Sequence, residues 1–122
     1  NDQHGAPTGA DLIADVTAHA MRRVLNTQNI SFSGVYHLVA SGQTTWHEYA
    51  SHVIAKAKHI KPDFPIKAVE VAPVPTSAFP TPAKRPSFSV LDVSGTRTVL
   101  GDGHAHWRSN LKMMLEEEKA LG

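Results

Sequence analysis

Ile13, Val16, Ala20 and Val24, with Leu12 beside them, recur at the spacing of one helix face and predict a helix over 9–27. Thr8 followed by Asp11 resembles a capping box at its start, and Arg22 and Arg23 stand where the helix dipole favours cations. The pattern breaks over Asn26 to Ser33. Gly34 then precedes Val35, Tyr36, His37, Leu38 and Val39, a short β-branched and apolar run that predicts a buried strand over 35–39. Ser41 and Gly42 end it. Thr45 with Glu48 forms a second capping box, and Trp46, Tyr49, Ala50, Val53, Ile54 and Ala57 make the apolar face of a helix over 45–60. Ile66 to Val71 predicts another strand after Pro65, and Ser89 to Val93 a short edge strand. Asp92 or Ser94 caps a small helical turn that stops near Gly101. A last helix runs from about His106 to Leu121, with Trp107, Leu111, Met114 and Leu115 inward. These elements describe a mixed α/β chain with three main helices and short strands.

Between the second and last helices lies a stretch of a different kind. Prolines at 73, 75, 80, 82 and 86 remove backbone donors and hold φ near −65°, so Val74 to Asp92 reads as a stiff extended arm. Phe79 can anchor it on apolar surface. Lys84 and Arg85 place two cations near its end, suited to clamping an anion, although an exposed surface loop has the same composition.

At 122 residues the chain supports one domain with one core. Hydrophobic residues make up 41% and charged residues 19%, and the formal net charge is +1, which describes a lightly charged globular chain. Lys and Arg are scattered, so there is no nucleic-acid footprint. The absence of cysteine removes disulfides and thiolate chemistry, and no apolar run approaches a membrane span; both fit a cytoplasmic protein. The first residue is Asn rather than Met, which suggests a piece of a longer protein.

Local catalytic motifs are missing. His47, Glu48 and His52 do not make His-Glu-x-x-His, and His104 with His106 lacks a third ligand at a convincing spacing. Gly-x-Ser-x-Gly and Gly-x-Gly-x-x-Gly do not occur. Tyr36 leads to Ala40 and Tyr49 to Val53, so neither tyrosine belongs to a Tyr-x-x-x-Lys hydride-transfer pair. Trp46 and Trp107 are expected to close the core, with stacking on a nucleotide base as the alternative for Trp46.

Three blocks in order carry a resemblance: Asp2 to Thr8; Gly34 to Leu38 with Ser41 to Trp46; and Pro80 to Pro86 with Ser89 to Asp92. Together with Trp107 and the terminal Met-Leu-Glu-Glu run, they resemble the C-terminal part of the dTDP-4-dehydrorhamnose reductase family, extended short-chain dehydrogenase/reductases. The resemblance covers essentially the whole chain. It implies that residues 1–122 are the C-terminal substrate-binding portion of such an enzyme, without the preceding dinucleotide-binding domain. The family reduces dTDP-6-deoxy-L-lyxo-4-hexulose to dTDP-L-rhamnose with NADPH or NADH, for polysaccharide biosynthesis. This chain would then hold the dTDP-sugar, would not bind the nicotinamide cofactor, and would be inactive alone. The resemblance offers Gln3, Lys84 and Arg85 as substrate-binding residues, with no catalytic, cofactor-binding or metal residue. It also implies a homodimer, or self-association through an exposed 35–39 edge. Mg2+ between carboxylates at a dimer interface would draw on Asp11 and Glu116 to Glu118. His106 replaces a frequent acidic helix cap, a departure expected to weaken that cap. A stand-alone binding or interaction module is the other reading of a chain without a catalytic pair.

Overall fold

The computed structural model describes residues 1–27, 32–101 and 104–121. Its elements in chain order are β1 (His4–Gly5), α1 (Ala10–Thr27), β2 (Thr44–Thr45), α2 (Trp46–Ile60), a 3-10 turn at Thr76–Ala78, α3 (Ser94–Leu100) and α4 (Trp107–Leu121). β1 and β2 pair antiparallel, His4 opposite Thr45 and Gly5 opposite Thr44. The fold is mixed α/β, and the predicted helices are present. The strands lie elsewhere than the hydrophobic pattern predicts.

Leu12 from α1, Ala40 from the connector, and Trp107 and Leu111 from α4 form the buried core. Val16, Tyr49, Val53 and Leu115 pack around it. Trp107 is the pivot, with 1% of its surface exposed. The Ser41 backbone seats it: Ser41 N donates to Ala105 O at 3.0 Å, and Trp107 N donates to Ser41 O at 3.1 Å. Gly42 has φ +84°, and a Cβ built there would overlap the His106 ring at Nε2. The positive φ therefore favours glycine, and a larger residue would also have to displace the His106 ring.

The 35–39 segment is not a strand. Among the described residues it has no ladder partner, Val35 is 90% exposed, and Thr96 Oγ1 of α3 donates to His37 O. A β-branched run supplies propensity, whereas a strand also needs a neighbouring backbone to pair with. Nor is 66–71 a strand: Lys58 Nζ donates to Ala68 O at 2.7 Å, and His47 Nε2 meets Val71 O at 2.9 Å. Side chains of α2 hold that segment instead. The edge strand expected at 89–93 does not form; the nearest pairing is an isolated bridge between Phe88 and His4, just before it.

The first capping box does not form, because Thr8 Oγ1 donates to Ala6 O at 2.9 Å and accepts from Ala40 N at 3.1 Å. The second forms by half. Thr45 Oγ1 accepts from Glu48 N at 3.2 Å, while the Glu48 carboxylate turns to Thr44 and Arg108. α3 ends at Gly101 as expected, and Asp92 Oδ1 accepts from Ser94 N at its start. On α4, Met114 is largely exposed rather than inward. On α1 only Leu12 reaches the core fully; Ile13 and Val24 border an open apolar groove. The break expected at Asn26 to Ser33 begins later, since α1 continues to Thr27, and its middle, 28–31, lies outside the described residues.

Candidate functional site

Residues 2–4 organise the proline-rich arm from both ends. The Asp2 carboxylate accepts from Thr76 N at 3.0 Å through each oxygen, and Oδ1 accepts from Thr76 Oγ1 at 2.6 Å. Gln3 Nε2 donates to the same Thr76 Oγ1 at 3.1 Å. Farther along the arm, His4 N donates to Ser87 O at 2.8 Å and Ser89 N donates to His4 O at 2.9 Å. The arm is thus a span tied to one extended segment near Thr76 and again at Ser87 to Ser89. Its prolines lower the entropy lost in holding that shape.

Two clefts result. The first, about 300 Å³, is lined by residues 3–7 of the β1 segment, Thr44 to Trp46, Tyr49, Arg85, Pro86 and Ser89. The second, about 380 Å³, has an apolar wall that includes Val71, Val74, Pro75 and Phe79, with His47 and Asp2 on its polar side. Gln3, Trp46 and Arg85 line both. The clefts therefore meet at an amide, an indole and a guanidinium.

Trp46 stands at the start of α2 and is 61% exposed, so it does not close the core as the sequence suggests. Its neighbour Tyr49 meets it edge-on at 6.2 Å, and Tyr49 in turn packs against buried Trp107 at 5.8 Å. A chain of rings ties the exposed indole to the core. Arg108 pairs with Glu48 and lies over the Trp107 ring at 5.1 Å, linking α4 to α2. Thr44, in the wall of the first cleft, donates to Glu48 Oε2 at 2.9 Å.

The electrostatics follow from these contacts. The Thr44 hydrogen bond, then Arg108, holds the Glu48 carboxyl below its ordinary value. Hydrogen bonds from Thr76 do the same for Asp2, and those from Ser94 for Asp92. His52, edge-on to Trp107 at 5.4 Å, is lowered by burial and then by Arg108 and Lys56.

Of the three residues offered by the sequence, Gln3 and Arg85 come together at the junction of the clefts. Lys84 is exposed and lines neither. Phe79 is 74% exposed and borders the second cleft, so it does not anchor the arm on this chain's core. Thr45 caps α2, whereas Thr44 serves Glu48. His106 retains a cap on α4, its Nδ1 accepting from Arg108 N at 3.2 Å, so the missing acid is replaced by a ring nitrogen. Asp11 lies in the first turn of α1, and Glu116 pairs with Lys112 at 3.7 Å on α4. Among the described residues no group of three or more His, Cys, Asp or Glu could hold a metal ion, so these carboxylates form no such site within the chain. The tie of Asp2 to Thr76 had one sequence signal, an Asp able to accept from a distant turn. Nothing in the sequence pairs it with that turn.

Comparison with known proteins places this geometry in a family. A family model described as the RmlD substrate binding domain matches residues 1–120. A dTDP-4-dehydrorhamnose reductase from Salmonella typhimurium is 46% identical over 96% of the chain, and one from Escherichia coli K12 is 45% identical over 96%. The chain spans 38% of the length of each. The crystal structure of a dTDP-4-dehydrorhamnose reductase from Clostridium acetobutylicum superposes with a TM-score of 0.71 at 27% identity. That match covers 97% of this chain and 37% of the other. Among the described residues, no helix is long and apolar enough to cross a membrane.

Proposed function

This chain belongs to the RmlD substrate-binding domain family, and from that premise we propose that it is the nucleotide-sugar-holding part of a cytoplasmic dTDP-4-dehydrorhamnose reductase. The observation that carries the reading is the convergence of Gln3, Trp46 and Arg85 where two clefts meet. A guanidinium offers paired donors to a diphosphate, and the N-terminus of α2 borders the same cleft with its partial positive charge. Gln3 supplies an amide for a sugar or diphosphate oxygen, and Lys84 adds positive field from outside the clefts.

The residues present do not fit a nicotinamide dinucleotide, because the sequence holds neither a Gly-x-Gly-x-x-Gly turn nor Tyr-x-x-x-Lys. The proposed division of labour leaves binding of NADPH or NADH, and reduction of the sugar ketone, to the rest of a longer protein. This chain contributes orientation of the sugar nucleotide and exclusion of water around it, roles that affect turnover as well as affinity. Exposed Val35 supports self-association of the isolated chain, to be checked by sedimentation.

The test is NAD(P)H oxidation with dTDP-6-deoxy-L-lyxo-4-hexulose. The isolated chain gives none, and a longer protein that carries it turns over. In that longer protein Arg85→Ala lowers kcat/KM by roughly tenfold or more while nicotinamide binding stays unchanged. Substrate-dependent oxidation by the purified 122-residue chain would overturn the division of labour.

A further inference from the structure

The Glu48 carboxylate joins two helices. Its Oε1 accepts from Arg108 of α4, and its Oε2 accepts from Thr44 at 2.9 Å. His52 stands four residues farther along α2, the spacing at which a glutamate pairs with a cation on the same helix face. A neutral imidazole brings no charge to that pairing. His52 instead lies edge-on to Trp107 at 5.4 Å, half-buried where α2 packs on α4. The charged groups that act on it are Arg108 from α4, and Lys56 and Glu48 from α2; His106 meets the same indole at 5.8 Å.

A proton on His52 changes this balance. It adds a positive charge beside Arg108 and Lys56, with Glu48 as the carboxylate they share. The Arg108 pair is the one that yields, because both its side chains are about half exposed, whereas Glu48 and His52 ride on one helix and reach each other without moving it. Thr44 and then Arg108 hold the Glu48 carboxyl below its ordinary value, so Glu48 stays charged while His52 titrates. We propose that His52 is a proton-operated latch: once protonated it takes the Glu48 carboxylate from Arg108, exchanging a tie between α4 and α2 for one within α2. Thr44 lines the first cleft and shares that carboxylate, so the exchange reaches the cleft wall. The latch operates whatever the cleft binds.

NMR titration of the chain from about pH 7.5 to about pH 5 follows it, the window in which an imidazole takes up a proton. His52→Asn assigns the His52 ring signal and serves as the control. In wild type the Thr44 amide and Arg108 side-chain N–H signals move with the His52 midpoint, and in His52→Asn they stay still. Arg108→Gln removes the competing cation and raises that midpoint by roughly half a pH unit, about threefold in proton affinity, whereas Arg108→Lys leaves it nearly unchanged. By reciprocity, the Glu48–Arg108 coupling, from a double-mutant cycle of urea midpoints, falls by about half or more between about pH 7.5 and about pH 5. In the His52→Asn background it persists. A coupling equal at both pH values, Thr44 and Arg108 signals that ignore the His52 titration, or a His52 midpoint unmoved by Arg108→Gln would overturn the latch. So would a His52 that takes up no proton before Glu48 does.

Discussion

Asp2 and Thr76 are 74 positions apart, yet both carboxylate oxygens of Asp2 accept from the Thr76 backbone N–H at 3.0 Å. The Thr76 hydroxyl adds a third contact, 2.6 Å from Oδ1. This tie sets where the arm begins, and the His4 bonds to Ser87 and Ser89 set where it ends. Gln3 and Arg85 line the same two clefts between these ties. Asp2→Ala should therefore free the 71–86 span, seen as faster proteolytic cleavage there and weaker thymidine diphosphate binding, with the helical circular dichroism unchanged. Unchanged cleavage would show that the tie does not order the arm.

Gly42→Ala should destabilise the chain by roughly 1–3 kcal/mol, the cost of holding a non-glycine residue in a strained backbone conformation. The added methyl also meets His106 Nε2. Combining it with His106→Ala should recover the steric part of the loss and leave the conformational part. Urea melts of the four proteins in the cycle measure both.

The cap on α4 rests on His106 Nδ1 as an acceptor. His106→Ala should cost about 0.5–2 kcal/mol, whereas His106→Asp should keep the cap. Equal urea midpoints for the Ala and Asp variants would show that the ring nitrogen does not cap.

Acid should weaken the fold in two stages. Burial lowers the folded pKa of His52 below its ordinary 6.5, so the unfolded chain takes up that proton first. Its contribution is whole above about pH 6.5 and is lost as pH falls toward the folded value. Asp2, Glu48 and Asp92 are also lowered, from 3.8, 4.5 and 3.8. They contribute fully above those ordinary values, and that stability is lost as pH falls through their folded ones. Urea midpoints should drop between about pH 7 and 5, then drop again below about pH 4.5. His52→Asn should remove the first drop, and a flat profile down to about pH 5 in the wild type would contradict it.

The helices were legible because amphipathic spacing and local caps are written within a few residues of each other, as at Thr45 and Glu48. Long-range pairing was not. Val35 to Val39 has strand propensity without a partner backbone in the described chain, and the strands that form are two-residue pairings dictated by where His4 meets Thr45. Trp46 shows the same limit at the site. Its position on the apolar face of α2 argues for burial, yet the core is filled by Trp107, and Trp46 is left at the cleft junction. Arg85 and Gln3 were readable as candidates from charge and resemblance. Their meeting depends on the distant ties of Asp2 and His4, which periodicity cannot reveal.

The role proposed for Arg85, held by the pinned arm, is to receive the diphosphate of a sugar nucleotide. Calorimetric titration of thymidine 5′-diphosphate into the wild-type chain and Arg85→Ala tests it most directly. Saturable wild-type binding is expected, weakened roughly 10- to 150-fold by the substitution, the range for a hydrogen bond to a charged group. Equal affinity in the two proteins, or no binding by the wild type, would contradict it.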